Sequence, residues 1–159
     1  MISWSHREAS THAGRLPGSI EHGMYLLDTN VISELRRAKP HGGVTAWLRT
    51  VDHRVLRVSS VSLGEIQAGI ELTRDQDPGR AAEIERWADE VARAYEILPM
   101  DTMIYRTWAK LMHGKSDTLA DDARIAAKAI VHGLTVVTRN VRDFQPFSVP
   151  TLNPFQVSR

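Results

Sequence analysis

The chain has 159 residues, of which 42% are hydrophobic and 25% are charged, a balance typical of one globular domain. It contains no cysteine, which excludes disulfides, thiolate metal sites and cysteine nucleophiles, so a bound metal would need oxygen or imidazole ligands. The formal net charge of +1 indicates no strong positive field, whereas a protein that coats nucleic acid non-specifically is usually more basic and an enzyme that contacts a few phosphates need not be.

The first 23 residues differ in composition from the rest of the chain. They are rich in serine, histidine and glycine, and they lack the continuous apolar segment of a signal peptide. No apolar run in the sequence approaches the roughly 18 residues that indicate a membrane span. We therefore expect a flexible, dispensable extension at 1–23, a folded domain at 24–155, a short tail at 156–159, a cytoplasmic location and no contact with a membrane.

Apolar residues at strand-like and helix-like spacing predict the elements of the domain in chain order. We predict a strand at 24–28, helices at 31–37 and 44–51, a strand at 55–59, helices at 62–72 and 80–95, a strand at 96–99, helices at 102–113 and 119–132, and strands at 134–138 and 149–152. Strands that alternate with helices predict an α/β fold with a parallel sheet of four or five strands flanked by helices. Ligands of such sheets bind outside the carboxyl ends of the strands.

Two acids follow the first two predicted strands. Asp28 ends the strand at 24–28, where it can either cap the next helix or serve a functional site, and the local sequence supports both equally. Glu65 completes the pattern Ser62-Leu-Gly-Glu65, a capping box that would place Glu65 in the first turn of its helix. The local pattern favours the cap, although Glu65 would still lie near the carboxyl edge of the sheet.

Asp122 is the most informative acid, because its helical face conflicts with its charge. At helical spacing it shares a face with four apolar residues: Ile125, Ala126, Ala129 and Ile130. The neighbouring Asp121 shares a face with three polar residues that we expect to be solvated: Arg124, Lys128 and His132. A carboxylate on an apolar face is unfavourable unless it is paired or bound to a metal, so the pattern favours a functional role for Asp122.

A fourth acid, Asp143, follows the predicted strand at 134–138 after one short turn, where an Asx turn or a cap is the alternative role. Four carboxylates at one edge of a sheet repel one another, by about 4 kcal/mol for a pair 4 Å apart at an effective dielectric constant near 20. A hard divalent cation removes this conflict, and oxygen ligands favour Mg²⁺ or Mn²⁺. Such a site activates water for phosphodiester hydrolysis, whereas no glycine-rich phosphate loop indicates a nucleoside triphosphatase.

Four segments resemble the motifs of PIN-domain toxins of the VapC and FitB type. In chain order they are Leu26-Leu-Asp-Thr-Asn-Val-Ile-Ser-Glu34, Ser59-Ser-Val-Ser-Leu-Gly-Glu-Ile66, Asp122-Ala-Arg-Ile-Ala-Ala127 and His132-Gly-Leu-Thr-Val-Val-Thr-Arg-Asn-Val-Arg-Asp-Phe144. Any one of them is weak evidence, but the four in this order and spacing are specific, and the likeness covers residues 24–155. The extension before residue 24 departs from the family, whose chains begin near the first strand.

The resemblance implies an Mg²⁺- or Mn²⁺-dependent endoribonuclease that cleaves RNA, is inhibited by a cognate antitoxin and forms a homodimer. Four residues match the catalytic and metal-binding acids of the family: Asp28, Glu65, Asp122 and Asp143. Three more match polar residues that support that site: Asn30, Thr138 and Asn140.

Other functions were weighed against this one. A phosphatase with an aspartyl nucleophile would carry a second aspartate two residues after Asp28, where Asn30 stands instead. A related nuclease that acts on DNA stays open, because no residue pattern indicates recognition of a 2′-hydroxyl. A catalytically silent module that binds nucleic acid stays open as well, although four acids would only weaken its affinity for phosphate.

Overall fold

The computed structural model describes residues 23–156, and the extension predicted at 1–23 lies outside the described residues except for Gly23. Five parallel strands form one sheet: β1 (Tyr25–Leu27), β2 (Leu56–Ser59), β3 (Glu96–Leu98), β4 (Thr135–Val137) and β5 (Thr151–Leu152). The helices of this part of the chain are α1 (Thr29–Leu35), α2 (Gly42–Thr50), α3 (Ser60–Arg74), α4 (Pro78–Ala94), α5 (Thr102–Met112), α6 (Ala120–His132) and α7 (Val141–Phe144). The predicted α/β fold with a parallel, helix-flanked sheet is confirmed.

Helices cover both faces of the sheet, so consecutive strand residues enter two different hydrophobic cores. Leu27 points into the core shared with α1, α2, α3 and α4, together with Val58 and Val137. Leu26 points into the core shared with α5, α6 and α7, together with Val136. Burial on both faces explains the consecutive apolar residues Leu26-Leu27 in β1 and Val136-Val137 in β4.

The strand order β3-β2-β1-β4-β5 reverses next to β1. The chain moves outward from β1 to β2 and β3, then returns to add β4 on the other side of β1, so that Leu27 pairs with both Val58 and Val137. A crevice forms at the carboxyl ends of neighbouring strands where the order of a parallel sheet reverses. In this chain the crevice lies beyond β1 and β4, next to Asp28 and Thr138.

The start of α3 differs from the sequence prediction. Its N-cap is Ser59, whose hydroxyl oxygen accepts a hydrogen bond from the backbone N–H of Val61 at 3.0 Å. Ser62 therefore lies inside the helix, where its hydroxyl oxygen accepts from the Thr29 hydroxyl at 2.8 Å. The predicted capping box is wrong, because the helix begins earlier, and Glu65 lies in its second turn.

Three further details depart from the predicted helices. The four-residue helix α7 occupies Val141–Phe144, a segment too short to show a helical period, and it carries Asp143. On α6, Ile130 is 46% exposed although the helical period predicts a buried face for it, and Lys128 is fully buried although the same period predicts a solvated face. Gly133 caps the end of α6 with a left-handed φ of +66°. None of the helices within 23–156 has the length and hydropathy needed to cross a bilayer.

Candidate active site

Asp28 is fixed at the end of β1 by three hydrogen-bond donors. Its Oδ1 accepts from the backbone N–H of Thr29 at 2.8 Å. Asp28 therefore caps α1, which is one of the two roles that the sequence predicts for it. Its Oδ2 accepts from the Thr138 hydroxyl at 2.7 Å and from the Asn30 side-chain amide at 3.1 Å. The side chain is only 6% exposed, and burial raises the pKa of Asp28 in spite of these donors.

The three predicted supporting residues surround this carboxylate. Thr138, which follows β4, donates to Asp28 and accepts from the backbone N–H of Asn140 at 3.0 Å. The Asn30 amide oxygen accepts from the backbone N–H of Arg139 at 3.1 Å, which ties α1 to the loop after β4. Asn140 thus supports the network through its main chain, while its side chain is exposed.

The other three acids lie on helices. Glu65 on α3 is half-buried, and burial raises its pKa, with Asp121 and Asp28 adding to the effect. Asp143 lies on α7 and is exposed. Asp122 lies in the first turn of α6 and is half-buried. Burial and, to a smaller extent, four neighbouring carboxylates (Asp28, Asp143, Glu65 and Asp121) raise the pKa of Asp122 to about 6. All four predicted acids therefore share one electrostatic environment.

The structure distinguishes the adjacent acids of α6. Asp121 is 58% exposed at its side chain and forms an ion pair with Arg124 one turn later on the same helix. Asp122 forms neither an ion pair nor a side-chain hydrogen bond within residues 23–156. It lies close enough to the other acids for their negative charges to raise its pKa. The two residues differ in the way that their helical faces predicted.

The donor set fits a hard divalent cation in its chemistry. Every candidate ligand is a carboxylate, and none of the four acids is neutralised by a lysine or arginine within 23–156. In the same range no three carboxylates or imidazoles stand close enough together to hold one metal ion as they are placed. The four acids therefore lie near one another, but their carboxylates do not converge on a single point.

Lys128 is a functional candidate that the sequence prediction missed. It is fully buried on α6, and its Nζ donates to Ser59 Oγ at 2.5 Å and to Ser60 Oγ at 3.1 Å. Burial and the nearby Arg124 lower the pKa of Lys128 to about 8, with Asp101 opposing them. These contacts join the helix that carries Asp122 to the start of the helix that carries Glu65. A lysine inside the run Ile125–Ala129 of small and apolar residues was the available signal.

The family model for the PIN domain matches residues 25–147, a span that includes all four acids. The chain belongs to the PIN-domain family.

Two relatives resemble this PIN domain over nearly their whole length. The VapC ribonuclease Y4jK of Sinorhizobium fredii is 34% identical over 140 residues, which cover 84% of this chain and 99% of that protein. The toxin FitB of Neisseria gonorrhoeae is 33% identical over 141 residues, which cover 83% and 99%.

Solved structures agree with the fold. The crystal structure of FitAcB from Neisseria gonorrhoeae superposes with a TM-score of 0.72 at 33% identity and covers 84% of this chain and 100% of that one. The structure of FitAB bound to the IR36 DNA fragment superposes with a TM-score of 0.73 at 31% identity and covers 86% and 99%.

Proposed function

We propose that this PIN domain is the toxin of a toxin–antitoxin pair and acts in the cytoplasm as an Mg²⁺- or Mn²⁺-dependent endoribonuclease. The observation that carries the proposal is the group of four mutually repelling carboxylates beyond β1 and β4, none of them neutralised by a cation within 23–156. The names of the two relatives, a ribonuclease and a toxin, support the substrate and the biological role. The solved FitAB complex supports an antitoxin as the partner.

The four acids Asp28, Glu65, Asp122 and Asp143 would hold the cation. When bound, it supplies a water that ionises near neutral pH and positive charge for the phosphoryl oxygens. Asp28 contributes a carboxylate whose orientation is already set by Thr138 and Asn30. Asp122 contributes a second carboxylate, whose pKa is about 6 in the metal-free protein. A cation would therefore compete with a proton for this carboxylate below about pH 6.

The test is cleavage of a single-stranded RNA and a DNA of the same sequence, with Mg²⁺, with Mn²⁺ and with EDTA. We expect cleavage of the RNA with either metal and none with EDTA, because water is a poor nucleophile without the cation. Equal or preferential cleavage of DNA would favour a DNA nuclease. Binding of RNA without cleavage under every condition would favour a catalytically silent module.

Two further measurements address the biological role and the assembly. Expression of the chain alone in bacteria is expected to arrest growth, and Asp122→Asn is expected to abolish the arrest. Light scattering of the purified protein is expected to give twice the mass of one chain, the homodimer that the family resemblance implies. Growth at the normal rate with a wild-type chain that is present and folded would contradict the toxin role.

A further inference from the structure

The helices α3 and α6 carry Glu65 and Asp122, but they pack in different hydrophobic cores. The buried apolar residues of α3, Ile66 and Ile70, lie in the core shared with α1, α2 and α4, whereas α6 contributes to the core on the other face of the sheet. Among the described residues, α3 reaches that second core only through the half-buried Val61. A cavity of about 560 Å³, lined by residues of both helices, lies beside them. A shared apolar core therefore does little to set the distance between the two acids.

Lys128 joins these two helices through hydrogen bonds. Its Nζ donates to the hydroxyl oxygen of Ser59, the N-cap of α3, at 2.5 Å, and to that of Ser60, the first residue of α3, at 3.1 Å. Within residues 23–156 no other side-chain hydrogen bond and no ion pair connects α3 with α6. The lysine is fully buried, so water does not compete for these bonds. The contact of Lys128 with the two serines is therefore the polar link between the helices.

The start of α3 is linked to Asp28 as well. The Ser62 hydroxyl oxygen accepts from the Thr29 hydroxyl at 2.8 Å, and the backbone N–H of Thr29 donates to Asp28 Oδ1 at 2.8 Å. The first turn of α3 is thus bonded on one side to the residue next to Asp28 and on the other side to the helix that carries Asp122. Glu65 follows this turn on the same helix, so its position relative to both aspartates depends on these bonds.

We propose that Lys128 is a positioning residue that sets the separation of Glu65 and Asp122, and thereby the geometry in which these acids can share a cation. The inference rests on the proposed function, because it names how the metal site of that function is held. Lys128 follows Asp122 by six residues, about 9 Å along the helix at 1.5 Å per residue, and it forms no ion pair with either acid. It therefore acts on the acids through the helices that carry them.

Position and charge predict opposite effects when Lys128 is replaced by methionine, which fills a similar volume but donates no hydrogen bond. A loss of positive charge near the acids would strengthen the binding of a divalent cation. A loss of the link between α3 and α6 would weaken it, because outer partners that orient metal ligands contribute about 10- to 100-fold to metal affinity. The sign of the change in metal affinity therefore distinguishes the two roles.

The first test measures the affinity of the full-length protein for Mn²⁺ by calorimetry, without RNA. For Lys128→Met we expect binding about 10-fold weaker than in the wild type, without a loss of melting temperature in EDTA. The matched control is Lys110→Met, which removes the same charge from an exposed position on α5 and is expected to bind Mn²⁺ within about twofold of the wild type. Ser60→Ala removes one acceptor and leaves the Ser59 cap in place, so we expect a loss of about threefold.

The second test measures the distance between the two helices in the absence of metal. The chain contains no cysteine, so spin labels can be attached to cysteines introduced at two exposed positions, Leu72→Cys on α3 and His132→Cys on α6. When Lys128→Met is added to this labelled pair, we expect double electron–electron resonance to show a broader distance distribution, because the hydrogen bonds that hold α3 to α6 are lost. Addition of Lys110→Met should leave the distribution unchanged.

Both changes are needed to support the inference. Wild-type or tighter Mn²⁺ binding by a folded Lys128→Met protein would overturn it, and so would weaker binding with an unchanged distance distribution. If Lys128→Met does not fold, wild-type Mn²⁺ affinity and distances in Ser60→Ala would overturn it instead. A wild-type protein that binds no Mn²⁺ would contradict the proposed metal site, and the distance measurement alone would then show whether Lys128 sets the separation of the helices.

Discussion

Asp28 and Asp122 carry the same functional group in opposite surroundings. Asp28 ends a strand and accepts from three donors, and its backbone N–H donates to the Val137 carbonyl at 2.9 Å. Asp122 lies in the first turn of a helix, with no side-chain donor within 23–156 and with a pKa raised to about 6 by burial and by its acidic neighbours. One half of the candidate site is therefore built into the sheet, whereas the other half lies on helices and its carboxylates repel one another.

This difference explains how the acids can share a site without closing around one point. The sheet fixes Asp28 through backbone and side-chain bonds, which a cation can use without rearrangement. Glu65, Asp122 and Asp143 come from three helices, and their charges repel one another, so a bound cation would lower the cost of bringing them together. Single substitutions in either half test whether the sheet and the helices hold their carboxylates differently.

The largest effect is expected from Asp28→Ala. It removes the cap of α1 and leaves the Thr138 hydroxyl and the Asn30 amide without their acceptor. We expect the free energy of unfolding to fall by about 2 kcal/mol, and cleavage to fall by more than the roughly 100-fold that loss of an outer partner costs. Urea unfolding and an RNA cleavage assay measure both. Unchanged stability would show that Asp28 is not held as tightly as its three donors indicate.

Asp122→Asn should separate activity from stability. It removes one charge from a crowded cluster and breaks no hydrogen bond with the described residues, so the metal-free protein should keep its stability or gain on the order of 1 kcal/mol. Mn²⁺ affinity and cleavage should fall together, as calorimetry and RNA cleavage would report. The matched control is Asp121→Asn, which loses an exposed ion pair with Arg124 and the smallest of the four repulsions on Asp122, so it should change both far less. An inactive Asp121→Asn protein beside an active Asp122→Asn protein would reverse the assignment.

The stability of the metal-free protein should depend on pH through the same residue. The folded-state pKa of Asp122 lies above its ordinary value of 3.8, so the folded protein holds a proton that the unfolded chain has released. The contribution of Asp122 therefore stabilises the protein below about pH 4, is lost between about pH 4 and 6, and stays lost above that range. Thermal unfolding in EDTA from pH 4.5 to 7.5 should show a smaller decline for Asp122→Asn than for the wild type. Parallel curves for the two proteins would contradict the raised pKa.

The smallest effect on stability is expected from Lys128→Met, which removes a buried cation that joins the two helices carrying Asp122 and Glu65. The lysine has no carboxylate partner within 23–156, and methionine has nearly the same shape, so stability at pH 7 should be unchanged or raised by about 1 kcal/mol. The folded-state pKa of Lys128, about 8, is below its ordinary value, so wild-type stability should rise relative to the variant above about pH 8. A loss of several degrees in melting temperature at pH 7 would show that its bonds to Ser59 and Ser60 outweigh its burial.

The sequence by itself determined the fold class and the order of the elements, because hydrophobic period and turn residues act over a few neighbouring positions. It also placed the four acids after strand ends or in early helical turns, and the four resembling motifs indicated their shared role. The helical period separated Asp122 from Asp121, since that distinction depends only on residues within two turns.

Tertiary structure decided the features that depend on residues distant in the chain. The bond between Thr138 and Asp28 spans 110 residues, and the contact that buries Lys128 against Ser59 spans 69. A local sequence pattern indicates which face of a helix is apolar. The packing of the helices and strands determines which charged side chain is buried between them and which residues distant in the chain come into contact.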